Sequence, residues 1–145
     1  MNSLFLIVTI AGQRVVLPAT MVESVVEIGE IEPVPLVAPH VAGLFALRSR
    51  VMTVIDSAAS VGAVPSGSRD QCEAVIVNCE GHGYAILVEN VDDVIEIKAP
   101  VQPARAVLNP IWARVALGVI EVEGDALLVV DPAALVSGSR RVDAA

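Results

Sequence analysis

The sequence predicts a mainly β protein that consists of two similar small lobes, and an internal repeat is the main reason. Residues 8–28 align without a gap with residues 77–97, and residues 43–59 align in the same way with residues 118–134. The identical pairs include Val8 with Val77, Val22 with Val91, Val25 with Val94, Glu27 with Glu96, Gly43 with Gly118, Val54 with Val129, and Asp56 with Asp131. A repeat that spans about half the chain indicates a pseudo-two-fold pair of lobes rather than a solenoid.

The composition supports the same fold class. Hydrophobic residues make up 54% of the chain and aromatic residues only 3%, with valine the dominant apolar residue. Because β-branched side chains pack well on a pleated surface, this composition favours strands, and it excludes a disordered chain. A length of 145 residues suits one domain with a shared core. We therefore expect a single domain over residues 1–145.

The first half predicts five short strands, each a run rich in valine, isoleucine or leucine. They are residues 4–10, 15–17, 25–31, 43–47 and 51–55. Ala11-Gly12-Gln13 joins the first two strands as a hairpin, and residues 19–22 supply about one helical turn. Pro33, Pro35 and Pro39 prevent regular ladder pairing, so they mark a connecting loop. Arg48-Ser49 is the turn between the last two strands.

The second half repeats this order of elements. Its predicted strands are residues 74–77, 84–88, 94–97, 117–122 and 126–130, with a second long loop at residues 99–112. Five short strands are enough for a small closed barrel, which leaves no exposed edge. We expect one lobe at about residues 1–61 and the other at residues 72–136, joined by a linker at 62–71 and followed by a tail at 137–145.

Charge and hydropathy exclude several partners. The net charge is −8 and the nine basic residues are scattered, with only Arg140 and Arg141 adjacent. Nucleic acid and anionic membranes both require clustered basic residues, so neither is an expected partner. No apolar run approaches the roughly 20 residues that cross a bilayer, and the first residues do not resemble a secretory signal. Cys72 and Cys79 are compatible with a reducing cytosol. We expect a cytoplasmic protein.

The repeated aspartates Asp56 and Asp131 admit two interpretations. One carboxylate per lobe after an apolar strand is compatible with a two-lobed aspartic hydrolase, in which two adjacent carboxylates share a proton. Those enzymes follow the aspartate with Ser/Thr-Gly, and neither copy here has that glycine. As a structural alternative, each aspartate is the N-cap of a short helix, with Pro132 at the first helical position of the second one. The sequence favours capping.

Other chemistry has little support. His40 and His82 lie in different lobes, and Cys72 and Cys79 do not have the C-x-x-C spacing of zinc ligands. The Gly81-His82-Gly83 segment lies in a hairpin without the helix and lysine of a phosphate-binding loop. We therefore expect no catalytic residues, no metal and no cofactor.

Arg48 is the charged residue that stands out most from an apolar neighbourhood. It follows the run at residues 41–47 and precedes the strand at residues 51–55. The ordinary interpretation is a solvated arginine in a hairpin turn. The other half has Glu123 there, so the internal symmetry is broken at this position. Arginine also anchors protein interfaces through its planar, multi-donor head.

Residues 35–56 resemble the signature of CheW-like domains. Their pattern is P-x-x-x-P-x-V-x-G-x-x-x-L-R-x-x-V-x-x-V-I-D, where the family has a proline-rich loop, then G-x-x-x-L-R-G and a V/L-P-V-I-D-L strand. The resemblance continues through residues 75–97 to Gly118, Asp131 and Leu135, and so covers nearly the whole chain. It implies two SH3-like five-stranded β-barrels packed on a shared hydrophobic core, with short helices.

The resemblance also implies a function. Members are non-enzymatic adaptors that couple chemoreceptors to a CheA-type histidine kinase, whose own CheW-like regulatory domain they meet. The receptor's cytoplasmic tip lies in the groove between the lobes. Carried over to this sequence, Arg48 matches the arginine of the motif, and Val22 and Val25 match apolar positions beside it. The same region contributes Ile31, Gly43 and Leu47 to the predicted protein-binding residues.

The sequence departs from the family pattern at several motif positions. They are Ser24 for an acidic residue, Ala46 for asparagine, Ser49 for glycine, Thr53 for proline and Ser57 for leucine. These departures leave open a divergent paralogue that serves another two-component signalling array. A separate alternative to the adaptor is a small-molecule sensor that uses the groove between the lobes.

Overall fold

The computed structural model describes residues 3–35, 37–63, 72–103 and 110–138. Within these residues the chain forms ten strands, one 3-10 turn and three short helices. In order they are β1 (Ser3–Ile10), β2 (Gln13–Pro18), the 3-10 turn (Ala19–Met21), β3 (Ser24–Ile28), β4 (Val41–Leu47), β5 (Arg50–Asp56), α1 (Ser57–Ser60), β6 (Cys72–Cys79), β7 (His82–Val88), β8 (Asn90–Ile97), α2 (Pro110–Val115), β9 (Ala116–Val122), β10 (Asp125–Val130) and α3 (Pro132–Ser137).

The strands form two five-stranded sheets. The first sheet has the order β8-β1-β2-β10-β9, and the second sheet has the order β3-β6-β7-β5-β4. Most neighbours are antiparallel, and the pairs β2–β10 and β5–β7 are parallel. Under the internal repeat, the strands β1 to β5 of the first half correspond in order to the strands β6 to β10 of the second. This exchange converts either sheet order into the other, so the pseudo-two-fold symmetry is confirmed.

The two sheets do not correspond to the two halves of the sequence. The first sheet takes the hairpin β1–β2 from the first half and the strands β8, β9 and β10 from the second. The second sheet takes β6–β7 from the second half and β3, β4 and β5 from the first. The expectation that residues 1–61 and 72–136 each close a separate lobe is therefore wrong. The hydrophobic pattern of a strand determines which of its faces is buried. It does not determine which strand is its neighbour, because that depends on the whole fold.

The described residues form three apolar clusters, and one of them joins the two sheets. One cluster lies on strands of the first sheet and consists of Phe5, Ile7, Val16, Ile120, Val122, Leu127 and Val129. Another lies on strands of the second sheet and consists of Ile28, Met52, Val54, Ala74, Ile76, Ala85 and Leu87. The third and largest cluster lies between the sheets and includes Leu6, Val8, Leu17, Ile55, Val75, Ile86, Val130 and Leu135. The predicted fold class, a mainly β protein with two subdomains on a shared core, is confirmed.

Two-residue hairpins connect neighbouring strands at four places in the described chain. The turn residues are Ala11-Gly12, Arg48-Ser49, Glu80-Gly81 and Glu123-Gly124. All eight have positive φ, as type I′ turns require, and this geometry matches the right-handed twist of the flanking strands. Glycine takes the second position in each turn except Arg48-Ser49, where Ser49 has a φ of 72°.

A buried glycine lets a connecting segment cross a strand in each half. Gly43 lies at a bulge in β4, and a Cβ there would overlap the carbonyl of Glu32. Glu32 and Leu44 exchange backbone hydrogen bonds of 2.8 and 2.9 Å across this close approach. Gly118 and Gln102 repeat the arrangement on β9. The glycine repeated in the sequence is therefore explained by backbone packing.

The short helices pack where the two halves meet. Ser60 of α1 donates a hydrogen bond of 2.6 Å to the carbonyl of Leu135 in α3, and Arg114 of α2 donates to the carbonyls of Ala134 and Ser60. Helix α2 lies partly in the segment that the sequence analysis assigns to a loop. Pro110 begins it, because the fixed φ of proline suits the first helical turn.

Parts of the predicted linker and tail fall outside the described residues. Residues 64–71 of the predicted linker (62–71) lie outside the described residues. So do residues 139–145 of the predicted tail (137–145). Ser137 is the last residue of α3, and Gly138 packs against the ring of His40. The described part of the predicted tail thus consists of the last residue of a helix and the glycine that follows it.

Candidate protein-binding site

Most of the predicted binding residues lie on or beside β4 of the second sheet. Gly43 and Leu47 belong to β4 itself, and Arg48 follows it at the hairpin tip. Ile31 packs against the bulge at Gly43, because its side chain borders the position that a Cβ would take there. Gly43 is buried, so it shapes the strand rather than offering a side chain to a partner.

Arg48 is held at a fixed place although its side chain is exposed. It occupies the first position of a type I′ turn, with a φ of 50°, and the strands on either side are paired up to Leu47 and Arg50. The turn restricts the backbone while the guanidinium extends from the end of the hairpin. A cationic group on a rigid tip is suited to a polar contact with another protein.

Val22 lies between the 3-10 turn and β3, and Val25 lies in β3 itself, at the opposite edge of the second sheet. Val22 is partly buried against the central cluster, whereas Val25 pairs with Val75 of β6 and stays 39% exposed. Val25 is therefore the better placed of the two for a contact with a partner.

An ion pair brings this segment close to the hairpin tip. A guanidinium nitrogen of Arg50 lies 3.7 Å from a carboxylate oxygen of Glu23, and both side chains are about half exposed. Glu23 immediately follows Val22, and its backbone N–H donates to the carbonyl of Ile76. The guanidinium also lies over Gly83, whose missing Cβ leaves the space that it occupies. The tip and the Val22–Val25 segment therefore form one continuous surface.

Arg50 and Glu23 are not among the binding residues that the sequence predicts. The two residues are far apart in the sequence, and neither carries a motif. In the second sheet, β6 and β7 lie between β3, which follows Glu23, and β5, which begins with Arg50. The Arg50 side chain reaches Glu23 across Gly83 of β7. Their position, each within two residues of a predicted binding residue, is the one signal that the sequence contains.

The two repeated aspartates are helix caps. Asp56 accepts a hydrogen bond of 3.2 Å from the backbone N–H of Ala59 in α1, and Asp131 accepts one of 3.0 Å from Ala133 in α3. Both have extended backbone angles, as N-cap residues do. The prediction of capping is confirmed, and Pro132 begins α3 as expected. The capping bonds give the carboxylates a structural role, so they add no support to the hydrolase alternative.

The residues considered as metal ligands do not converge among the residues that the structure describes. His40 is buried, and its Nε2 donates a hydrogen bond of 2.8 Å to the carbonyl of Val136, which ties α3 to the first half. Burial raises the pKa of the Cys79 thiol, and the negative charges of Asp131 and Glu80 raise it further. A thiol with a raised pKa is less often the thiolate that binds metals or attacks electrophiles.

Fold and site together define a class of protein. Two interlocked β-sheets share one apolar core, and the candidate site is a surface around an exposed hairpin tip, which suits binding to another protein. Comparison with family models identifies the family itself, because the model of the CheW-like domain matches residues 4–140. The chain belongs to the CheW-like domain family.

A solved structure has the same fold. The scaffolding protein TtCheW from Thermoanaerobacter tengcongensis is 21% identical, with a TM-score of 0.80 over 90% of each chain. At that identity the likeness concerns the fold. The search of curated proteins found no match. Among the described residues, no helix combines the length and apolar character that a membrane crossing requires.

Proposed function

We propose that the protein is a non-enzymatic adaptor that couples chemoreceptors to a CheA-type histidine kinase in chemotaxis-like signalling. Its kinase partner is the CheW-like regulatory domain of that enzyme, and its receptor partner is the cytoplasmic tip of a chemoreceptor. The proposal places it in the cytoplasm, at receptor arrays on the membrane. Membership of the family over residues 4–140 supports the adaptor class.

The position of Arg48 is the observation that carries the proposal. The arginine of the family motif stands at an exposed, rigid hairpin tip. The Arg50–Glu23 ion pair holds that tip beside the segment with Val22 and Val25. One surface thus offers a cation and an exposed apolar side chain, the combination that protein interfaces use as anchors.

The departures from the family pattern favour a partner of a specialised kind. Ser24 and Ser49 are both exposed on this surface, where the family has an acidic residue and a glycine. A partner would therefore meet two serine hydroxyls on this surface, where other members present a carboxylate and a glycine. A paralogue that serves another two-component array remains the second form of the same function.

A comparison of arginine variants tests the proposal. The tagged protein is recovered from its native cells as wild type, Arg48→Glu and Arg14→Glu, and bound kinases and receptors are identified by mass spectrometry. Arg14 is the matched control, because it is a half-exposed arginine beside another hairpin turn. The kinase's regulatory domain is then titrated directly against each variant. We expect Arg48→Glu to weaken binding by about tenfold or more, since an anchoring arginine becomes a repelling charge.

The possible outcomes distinguish the role of Arg48 from the adaptor function of the protein. If the kinase binds wild type and both variants equally, the family function holds and Arg48 does not carry the contact. If neither capture nor titration detects a histidine kinase with the wild type, the adaptor proposal is wrong. Circular dichroism of each variant confirms that the fold is intact.

A further inference from the structure

The outer face of the β4–β5 hairpin is largely apolar and is exposed. Val51 is 67% exposed, the largest value among the large hydrophobic residues that the structure describes. It pairs directly with Ala46, which is also exposed, so both side chains lie on one face of the hairpin. Leu44 lies two residues back along β4 on the same face. The three residues line a surface concavity of about 500 Å³.

Opposite charges stand at the two ends of this apolar face. Glu30 and Glu32 line the same concavity, and the backbone of Glu32 is hydrogen-bonded to that of Leu44 at one end. Arg48 is at the other end, on the hairpin tip. Ala46 lies midway, two residues from Leu44 and two from Arg48, or about 7 Å in each direction at the rise of a strand.

This arrangement is complementary to itself. A second copy can be laid on the face by rotation of 180° about an axis that runs just above Ala46 and Val51, parallel to the line that joins them. The apolar centres of the two copies then meet. Arg48 of each copy then stands over Leu44 and Glu32 of the other. A two-fold interface requires this relation. If Arg48 of one copy contacts Glu32 of the other, then Glu32 of the first copy contacts Arg48 of the second.

We propose that the protein forms a symmetric dimer through the outer face of the β4–β5 hairpin, with Arg48 of each copy paired with Glu32 of the other. A net charge of −8 opposes association of two copies in general. A face with both signs of charge removes that repulsion locally. This inference goes beyond the proposed adaptor function, and it predicts competition between self-pairing and any partner that uses Arg48.

The equivalent hairpin of the first sheet shows why one face is favoured. In β9–β10 the corresponding surface has Glu121 in place of Ala46, Glu123 in place of Arg48 and Ala126 in place of Val51, with Asp125 beside them. Its charges all have one sign, and its apolar centre is reduced to a methyl group. Two copies would repel each other there.

Sedimentation velocity tests the dimer with the full chain. The protein is measured from about 10 µM to about 1 mM, the range in which weak pairs dissociate. We expect the wild type to approach the dimer as concentration rises, and Val51→Glu to remain monomeric. Ala126→Glu is the matched control at the same hairpin position of the first sheet, and it should dimerise as the wild type does.

Charge reversal identifies the pairing. Arg48→Glu and Glu32→Arg should each weaken dimerisation about tenfold or more, because each dimer contains the pair twice. The double variant restores opposite signs at both ends, and its dissociation constant should return to within about threefold of the wild type. Circular dichroism and thermal unfolding of every variant show that the fold is retained.

The results that overturn the inference are distinct from those that concern the adaptor function. A wild type that stays monomeric to the highest concentration contradicts the dimer, whatever the kinase titration shows. A dimer that survives Val51→Glu, or that the double charge reversal fails to restore, contradicts this face as its interface. Loss of kinase binding with Val51→Glu in a protein that is always monomeric assigns the face to the kinase instead.

Discussion

Ser49 occupies a turn position that glycine fills in the equivalent hairpins. Its φ of 72° lies in the left-handed region, where a Cβ meets the following carbonyl and costs about 1–2 kcal/mol relative to glycine. Gly12, Gly81 and Gly124 take the same conformation, and a Cβ on any of them would meet nothing within 4 Å. The backbone conformation alone therefore decides the energy at these positions.

We expect Ser49→Gly to stabilise the protein by about 0.5 kcal/mol. Relief of the left-handed strain exceeds the entropy that glycine adds to the unfolded chain. The free energy of unfolding in urea measures the change. Gly124→Ser, at the same place in the other half, should lower it by a similar amount. A loss of stability with Ser49→Gly would show that the serine side chain makes a contact that outweighs its strain.

At the scale of elements, α1 is a helix of four residues that is stabilised by side-chain hydrogen bonds at its two ends. Isolated helices this short are not stable in water. Asp56 caps the first turn, while Ser57 and Ser60 donate hydrogen bonds to the carbonyls of Leu87 and Leu135. The capping could be predicted from the sequence, because it depends on residues adjacent in the chain. The bonds to β7 and α3 could not, because they depend on the packing of distant segments.

Asp56→Ala should cost roughly 1 kcal/mol of stability, the usual effect of removing an N-cap. Urea unfolding measures the loss, and Asp125→Ala, an exposed aspartate at the start of β10, is the control that should change stability little. A variant as stable as the wild type would contradict the importance of the cap. The variant should keep its partner binding, since Asp56 is buried away from the hairpin tip.

At the scale of the whole molecule, the repeat in the sequence predicts the symmetry but not how the halves combine. Turn residues and strand patterns act locally, so the hairpins could be predicted in order. The parallel pairs β2–β10 and β5–β7 join strands from different halves, and no local pattern specifies them. The candidate site follows the same division. Arg48 and its turn could be predicted, whereas the Arg50–Glu23 pair depends on the order of strands in the complete second sheet.

The exchange of hairpins predicts that the halves cannot separate while folded. With a protease site introduced within residues 64–71, the cleaved protein should still elute as one species and unfold in a single transition. Each sheet contains strands from both fragments, so separation requires breaking both sheets. Elution in denaturant should release two fragments. Separation under native conditions would contradict the observed strand order.

The same exchange sets the order in which the chain can fold during synthesis. When β5 leaves the ribosome, β3, β4 and β5 still lack the two strands that belong between β3 and β5. The second sheet is complete once β7 has emerged. The hairpin β1–β2, although made first, must wait for β10 to fill its open edge. The part of the chain that is made first is thus the last to find its neighbours. Until then its apolar strands have unpaired edges, which favour aggregation.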